Sequence, residues 1–212
     1  MSTATIYAHR FDAPNDEYSG IIGGKEKNVP ETWRFSIDVA KAWEATLNEA
    51  STPRTRKVLL RAAMVMSPDA GGVFDTLLGL VRRGLGGRMG SGRQFMSWIH
   101  GEDFVRAVEW IMERDDLEGA INLSSPNPLP NAAFMLELRR ALGIRVGLPA
   151  NELMLEIGTR LMQSETELIL KSRRVVPRRL IESGFEFYFP VWNLASRALC
   201  EQWREARSTP RA

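Results

Sequence analysis

Lys57-Val58-Leu59-Leu60-Arg61-Ala62-Ala63-Met64-Val65-Met66 is a nearly continuous apolar run broken by one charge inside it, Arg61. Pro53 bounds it upstream and Ser67-Pro68 downstream. A run of this length between turn residues reads as a strand buried on both faces, the pattern of a parallel sheet in an α/β fold. A charge within such a strand needs a polar partner, a loop carbonyl or a ligand, because burying it alone is costly. Arg61 is therefore a candidate substrate-binding residue.

Upstream, Ser2 to Tyr7 is rich in Thr, Ile and Tyr and reads as the end of a strand. Phe11 to Asn28 is polar, glycine-rich and turn-prone, a long loop of the kind that is usually functional. Asn28, Pro30 and Glu31 form a helix-start signal. The helix is expected to run to about Ala50 with Ile37, Ala40, Glu44 and Leu47 on one face.

Downstream, Gly71 to Arg83 reads as a helix, and the glycine cluster Gly84 to Gly92 as a flexible loop over a cleft. Gln94 to His100 is a short strand, Glu102 to Arg114 an amphipathic helix and Gly119 to Leu123 another strand. Asn131 is expected to cap a helix whose core face carries Phe134, Leu138, Ala141 and Leu142. Past Gly147 helices dominate: Pro149 to Met162, Pro177 to Ser183 and Leu194 to Ala206, followed by a disordered tail. Strands alternate with helices early and helices prevail late, which predicts an α/β sheet joined to a mainly helical lobe.

The 212 residues are 44% hydrophobic, with 28 basic and 26 acidic side chains and a net charge of +2. That near balance gives no general reason to expect nucleic acid or an acidic membrane as partner. The one basic run, Lys171 to Arg179, lacks interleaved aromatics. It reads first as a solvated helix start, second as a contact for a substrate phosphate and only third as a nucleic-acid site. The single cysteine, Cys200, cannot form an internal disulfide. With no signal-peptide pattern and no apolar run long enough for a membrane span, the expected location is cytoplasmic. Two histidines, His9 and His100, and unclustered acidic residues argue against a metal site.

Several segments together resemble extended short-chain dehydrogenases/reductases, the group of the sugar-nucleotide epimerases. They are Ser2 to Tyr7, Leu60 to Pro68, Ser97-Trp98-Ile99-His100-Gly101-Glu102-Asp103 and Gly119-Ala120-Ile121-Asn122-Leu123. Gly86-Gly87, Gly90-Ser91-Gly92-Arg93-Gln94, Pro126-Asn127-Pro128 and Gly184-Phe185-Glu186-Phe187 are similar to one branch, the epimerase-like family with a C-terminal DUF1731 domain. The resemblance covers essentially the whole chain. It implies the C-terminal part of a Rossmann-type NAD(P)-binding fold plus a mainly helical substrate-side lobe. The expected division is residues 1–146 for the epimerase/dehydratase remnant, 147–206 for the DUF1731-like lobe and 207–212 for the tail.

The resemblance implies NAD or NADP as cofactor and a small-molecule substrate, with a phosphate-bearing compound as one option. It also implies site residues. Thr3 matches the Ser/Thr that hydrogen-bonds the reacting oxygen, although a β-favouring Thr at a strand end is an equal reading. Tyr7 matches an aromatic near substrate, with ordinary packing as the alternative. His100 is a further substrate-side candidate, readable as a catalytic pair with Asp103, although the favoured reading is structural, with Asp103 capping the turn or holding His100.

Two departures bear on activity. No Gly-x-Gly-x-x-Gly follows a strand near the N-terminus, so the pyrophosphate cradle of such folds has no counterpart in the sequence. No Tyr-x-x-x-Lys occurs either. In the helix that should carry it, Phe35 stands at the Tyr position and Val39 at the Lys position. Lys41 lies two residues on, about 200° around the helix. The sequence therefore reads as an NAD(P)-dependent epimerase-like protein lacking its dinucleotide-binding half, with Met1 read as a start placed inside a longer fold. The alternative is a non-catalytic binding or regulatory protein that keeps the fold. An uncovered strand edge predicts self-association.

Overall fold

The computed structural model describes residues 1–26, 30–149 and 171–208. Strand β2 (Val58–Ala62) lies at the centre of a parallel sheet, between β1 (Ser2–Thr3) and β6 (Gly119–Leu123). Leu60 pairs with Ile121 and Ala62 with both Leu123 and Thr3.

The apolar run is not one strand. At Ala63 it changes partners: Ala63 N donates to Leu123 O at 2.9 Å, and Met64 N donates to Ser97 O at 3.3 Å. The remainder, β3 (Met64–Met66), pairs in parallel with β5 (Trp98–His100) in a second small sheet. This bend also corrects the expectation of burial on both faces, since within β2 only Leu59 is fully buried. A segment that serves two sheets in turn has each face covered only in part.

Helix α1 (Glu31–Glu49) turns Ile37, Ala40 and Glu44 inward at helical spacing. Its N-cap is Pro30, with no side-chain cap, and the expected cap Asn28 lies outside the described residues. Helix α2 (Val73–Arg82) follows β3; α3 (Gly101–Met112) starts directly from β5 and packs Ala107 and Ile111 against Ile121 and Leu123 of β6. Two-residue strands β4 (Phe95–Met96) and β7 (Leu129–Pro130) pair antiparallel before α4 (Asn131–Leu142).

A second core joins α2, α4 and the last helix, which here is α6 (Trp192–Ser208), after the short α5 (Arg178–Glu182). Its centre is aromatic. Phe134 stacks on Trp192 at 3.9 Å and 13°, and Trp192 meets Trp98 edge-on at 4.9 Å. The Trp192 indole N–H is satisfied by the Phe134 carbonyl at 2.9 Å. Cys200 is buried in this core, and burial pushes its thiol up to about 11. That is the setting of an inert cysteine.

Three further expectations change. Asn131 is not a cap: it is the first residue of α4 behind Pro130, and its Oδ1 accepts from Met89 N at 2.8 Å. The glycine cluster is no open loop. Met89 is fully buried, and a Cβ on Gly87 would lie 2.5 Å from the Leu148 backbone, so the segment is packed against α4 and its trailing chain.

The basic run is a solvated helix start only at its far end, where Arg178 and Arg179 open α5 and Arg178 is exposed, whereas Lys171, Ser172 and Arg173 are all buried. Its backbone is stitched on both sides, with Arg173 N to Phe95 O at 2.8 Å and Val176 N to Asn15 O at 3.1 Å. Lys171 and Arg173 follow the backbone inward, while Arg174 is half-buried. The helix expected at Pro149 to Met162 lies almost entirely outside the described residues, as does the tail from residue 209.

Phe134→Ala is expected to cost about 3–5 kcal/mol, since it opens a cavity beneath Trp192 and Trp98. Urea denaturation of the variant measures it.

Candidate functional site

Open α/β sheets bind ligands beyond the carboxyl ends of their strands. At that end of β1 the chain turns at once into a 3₁₀ turn, Ala4–Ile6, with Thr3 as its N-cap. The Thr3 hydroxyl accepts from Thr5 N at 3.2 Å and donates to Thr5 Oγ1 at 3.1 Å. Both threonines are half-buried. Ala62, paired with Thr3, and Ala63 put only methyl groups at the neighbouring end of β2.

Tyr7 and Arg61 come together, and both point inward. Arg61 grips Glu44 with two hydrogen bonds, Nε to Oε1 at 2.8 Å and Nη2 to Oε2 at 2.7 Å. Ser2 Oγ donates to the same carboxylate at 2.7 Å. The remaining arm of Arg61 donates to the Tyr7 hydroxyl at 2.9 Å, and Tyr7 donates to Asn122 Oδ1 at 2.9 Å. Asn122 Nδ2 closes the chain on the Val176 carbonyl at 3.0 Å.

Burial pushes the Tyr7 phenol up, and its bonds to Arg61 and Asn122 offset this only in part. Burial would raise the Glu44 carboxyl too, but Arg61 and Ser2 outweigh it and hold it below its ordinary value. Arg61 is held above its ordinary value despite burial, chiefly by Glu44. The two residues expected at the substrate are thus committed to an internal network, because a strand arginine and a helix carboxylate facing one interior must pair. The signal was Glu44 itself, a lone carboxylate on the apolar face of α1.

His100 ends β5 and caps α3, its Nδ1 accepting from Glu102 N at 3.2 Å. The ring is buried and stacks on Phe189 at 3.8 Å, and its Nε2 has no hydrogen-bond partner among the described residues. Burial lowers the imidazole from its ordinary value against the opposing pull of Asp103 and Glu102. Asp103 does not hold His100. Its carboxylate accepts from Tyr188 N and Phe189 N, both at 2.8 Å, and from Arg106 at 3.0 Å, fastening the turn before α6.

On α1, Phe35 is 71% exposed. Val39 is half-buried, and Lys41 is turned toward Asp38 at 3.7 Å. No acid/base pair is assembled on this helix. Phe35, Val39, Trp43 and Leu47 instead form an i, i+4 stripe, with Trp43 55% exposed. Beside it lies an open cavity of about 400 Å³ lined by Met1, Ser2, Trp43, Leu47, Val58 and Leu59.

The described residues do not fit a dinucleotide by themselves. The one dense glycine cluster is filled by the chain at Leu148, which leaves no cradle for a pyrophosphate. They provide the carboxyl edge of β1 and β2 alone. Among the described residues no group of three His, Cys, Asp or Glu is placed to hold a metal, and no helix is long and apolar enough to cross a membrane.

Tyr7→Phe is expected to destabilise the fold by about 1–3 kcal/mol, since it leaves Arg61 and Asn122 each one partner short. Because the folded-state pKa of Glu44 is depressed, its contribution is complete above the unfolded value of about 4.3 and is lost as pH falls below it. Unfolding free energies between pH 7 and 3 check both.

A family model described as a domain of unknown function, DUF1731, matches residues 152–199, which lie partly outside the described residues. An epimerase family protein of Mycobacterium bovis is 37% identical over 156 residues, 73% of this chain and 50% of that protein. The human epimerase family protein SDR39U1 is 30% identical over 167 residues, 78% of this chain and 55% of that one. The chain therefore spans about half the length of the relatives it matches. The crystal structure of human SDR39U1 isoform 2 with NADPH is similar with a TM-score of 0.79 at 27% identity, over 94% of this chain and 63% of that one. A nucleoside-diphosphate sugar epimerase from Corynebacterium glutamicum has a TM-score of 0.69 at 23% identity, over 100% of this chain and 40% of that one, a likeness of fold. The architecture is that of a Rossmann-type epimerase fold, and the chain belongs to the epimerase-like family of extended short-chain dehydrogenases/reductases that carries a DUF1731 domain.

Proposed function

We propose that this chain is the substrate-side part of an NAD(P)-linked epimerase or oxidoreductase acting on a small molecule, with nucleotide sugars as the first substrates to try. The observation that carries this reading is Thr3, at the carboxyl end of β1 beside two alanines, in a fold similar over 94% of its length to a relative solved with NADPH. In this reading the Thr3 hydroxyl leaves Thr5 and orients the reacting oxygen of the substrate. The dinucleotide is held by strands that add to the edge of β1, which pairs only with β2 among the described residues. Residues 1–146 are the remnant of the dinucleotide fold and 147–206 the DUF1731 lobe.

A second reading, ligand binding without chemistry, is favoured by Phe35 and Val39. Neither can give or take a proton at the positions where the family resemblance implies Tyr and Lys.

The chain fused to the dinucleotide-binding half of a relative, titrated with NADPH and then supplied with nucleotide sugars or simple carbonyl compounds, separates the two. Turnover that falls at least about 10²-fold in Thr3→Ala supports the first reading. NADPH binding with no turnover of any substrate supports the second. The site is proposed to work in the cytoplasm, although an Arabidopsis thaliana relative is chloroplastic by name, and fractionation decides.

The Phe35–Leu47 stripe and the β1 edge also support self-association of the chain on its own. Sedimentation is expected to show oligomers that dissociate in Trp43→Glu. A monodisperse wild-type monomer contradicts this.

A further inference from the structure

Residues 171–176 form a strap between the loop after β1 and strands β4 and β5. Lys171 Nζ donates to Thr5 O at 2.8 Å, and Ser172 N donates to His9 Nδ1 at 2.7 Å. On the other side Phe95 N donates to Ser172 Oγ at 3.1 Å, and Val175 N donates to Ser97 Oγ at 2.8 Å. The acceptors in this set are a carbonyl, two hydroxyls and one imidazole. Only the imidazole titrates near neutrality.

For Nδ1 to accept, its lone pair must be free, so the neutral ring carries its proton on Nε2. Protonation would set an N–H against the Ser172 N–H. It would also place a third positive charge beside two buried ones, Lys171 and Arg173 of the strap. Among the described residues the charged group opposing this is Glu26, whose carboxylate accepts from His9 N at 2.9 Å and Gly24 N at 2.6 Å. Phe11 and Trp33, with ring centres 5.0 and 5.3 Å from that of His9, flank the imidazole and bring no charge.

We propose that His9 is an acid-released latch: as neutral imidazole it holds Ser172, and so seats Lys171 on the Thr5 carbonyl, and on protonation it lets the first residues of the strap go. What it controls is the cover over the turn that carries Thr3, and the device stands whichever reading of the reaction is right. The electrostatics agree with the geometry. Burial, then Lys171, push the imidazole below its ordinary value, Glu26 pulls it back in part, and Arg173 adds to the depression. A depressed folded-state value means that the latch is complete above the unfolded histidine value of about 6.5 and is lost as pH falls below it.

Amide hydrogen exchange of the full chain between pH 7.5 and 5, corrected for intrinsic rates, reads the latch at Ser172. In the wild type, protection of this amide is expected to fall about tenfold or more on acidification, as a buried hydrogen bond is lost. His9→Asn places a non-titrating oxygen near the position of Nδ1, and Ser172 should stay protected at both pH values. His9→Phe offers no acceptor, and protection should be low at both. The Val175 amide, bonded to Ser97, should hold in all three proteins and so reports an intact fold. Unchanged protection of Ser172 in the wild type at pH 5 would overturn the proposal. So would a parallel fall in His9→Asn, or wild-type protection in His9→Phe.

Discussion

The structure depends first on the ion pair between Arg61 and Glu44. β1 is only two residues long and cannot hold its place by its ladder with β2. The Arg61–Glu44 pair does that work from the side, tying β2 to α1, while Ser2 on β1 bonds the same carboxylate. Through Tyr7 and Asn122 the network reaches β6 and the carbonyl of Val176. Both partners of the pair are close to nine-tenths buried. Losing one partner of such a pair costs about 3–5 kcal/mol, whereas replacing both with apolar groups is often neutral. Its value here is therefore one of register: a network of five side chains in which every arm has a fixed partner admits one placement of β1 on β2.

The second constraint is the strap. A segment with five basic residues in a row of nine would ordinarily stay in water, yet Lys171 to Arg173 are buried. The backbone groups of residues 172–176 are met by His9, Phe95, Ser97 and Asn15, so the segment is treated by its surroundings as an additional strand. Arg179 behaves similarly at the far end, reaching back to the Glu118 and Ala120 carbonyls of the β6 entrance. The DUF1731 match thus includes residues that build the interior around β1 and β6, not only helices laid on its outside.

The repeating elements were legible in the sequence because each buries its own pattern. β6, α2, α3 and, on α1, Ile37, Ala40 and Glu44 stand where periodicity put them, whereas Leu47, expected on the same face, is turned out onto the exposed stripe with Trp43. What periodicity could not show was a change of partner inside one apolar run, since Ala63 looks like any other strand residue and only its two neighbours' ladders reveal the break. Tyr7 was placed near the substrate by resemblance and Arg61 by the cost of a lone charge in an apolar strand, but sequence distance hid the carboxylate that claims Arg61: Glu44 is 17 residues away. Asn131 looked like a cap and is a tether for Met89, a role set by a loop 42 residues away. Charge misled at the strap for the same reason, because backbone pairing across long separations overrode composition. Thr3 remains at the strand end that the resemblance implied, and His9, the residue that joins its loop to the strap, carried no sequence signal.

The most direct test of the organising role of Arg61 is a double-mutant cycle. Unfolding free energies of the wild type, Arg61→Met, Glu44→Met and the double variant give the coupling between the two side chains. A coupling of at least about 1.5 kcal/mol, with the double variant more stable than either single one, is the predicted result. Single substitutions that simply add would contradict the account and leave β1 held by something other than this pair.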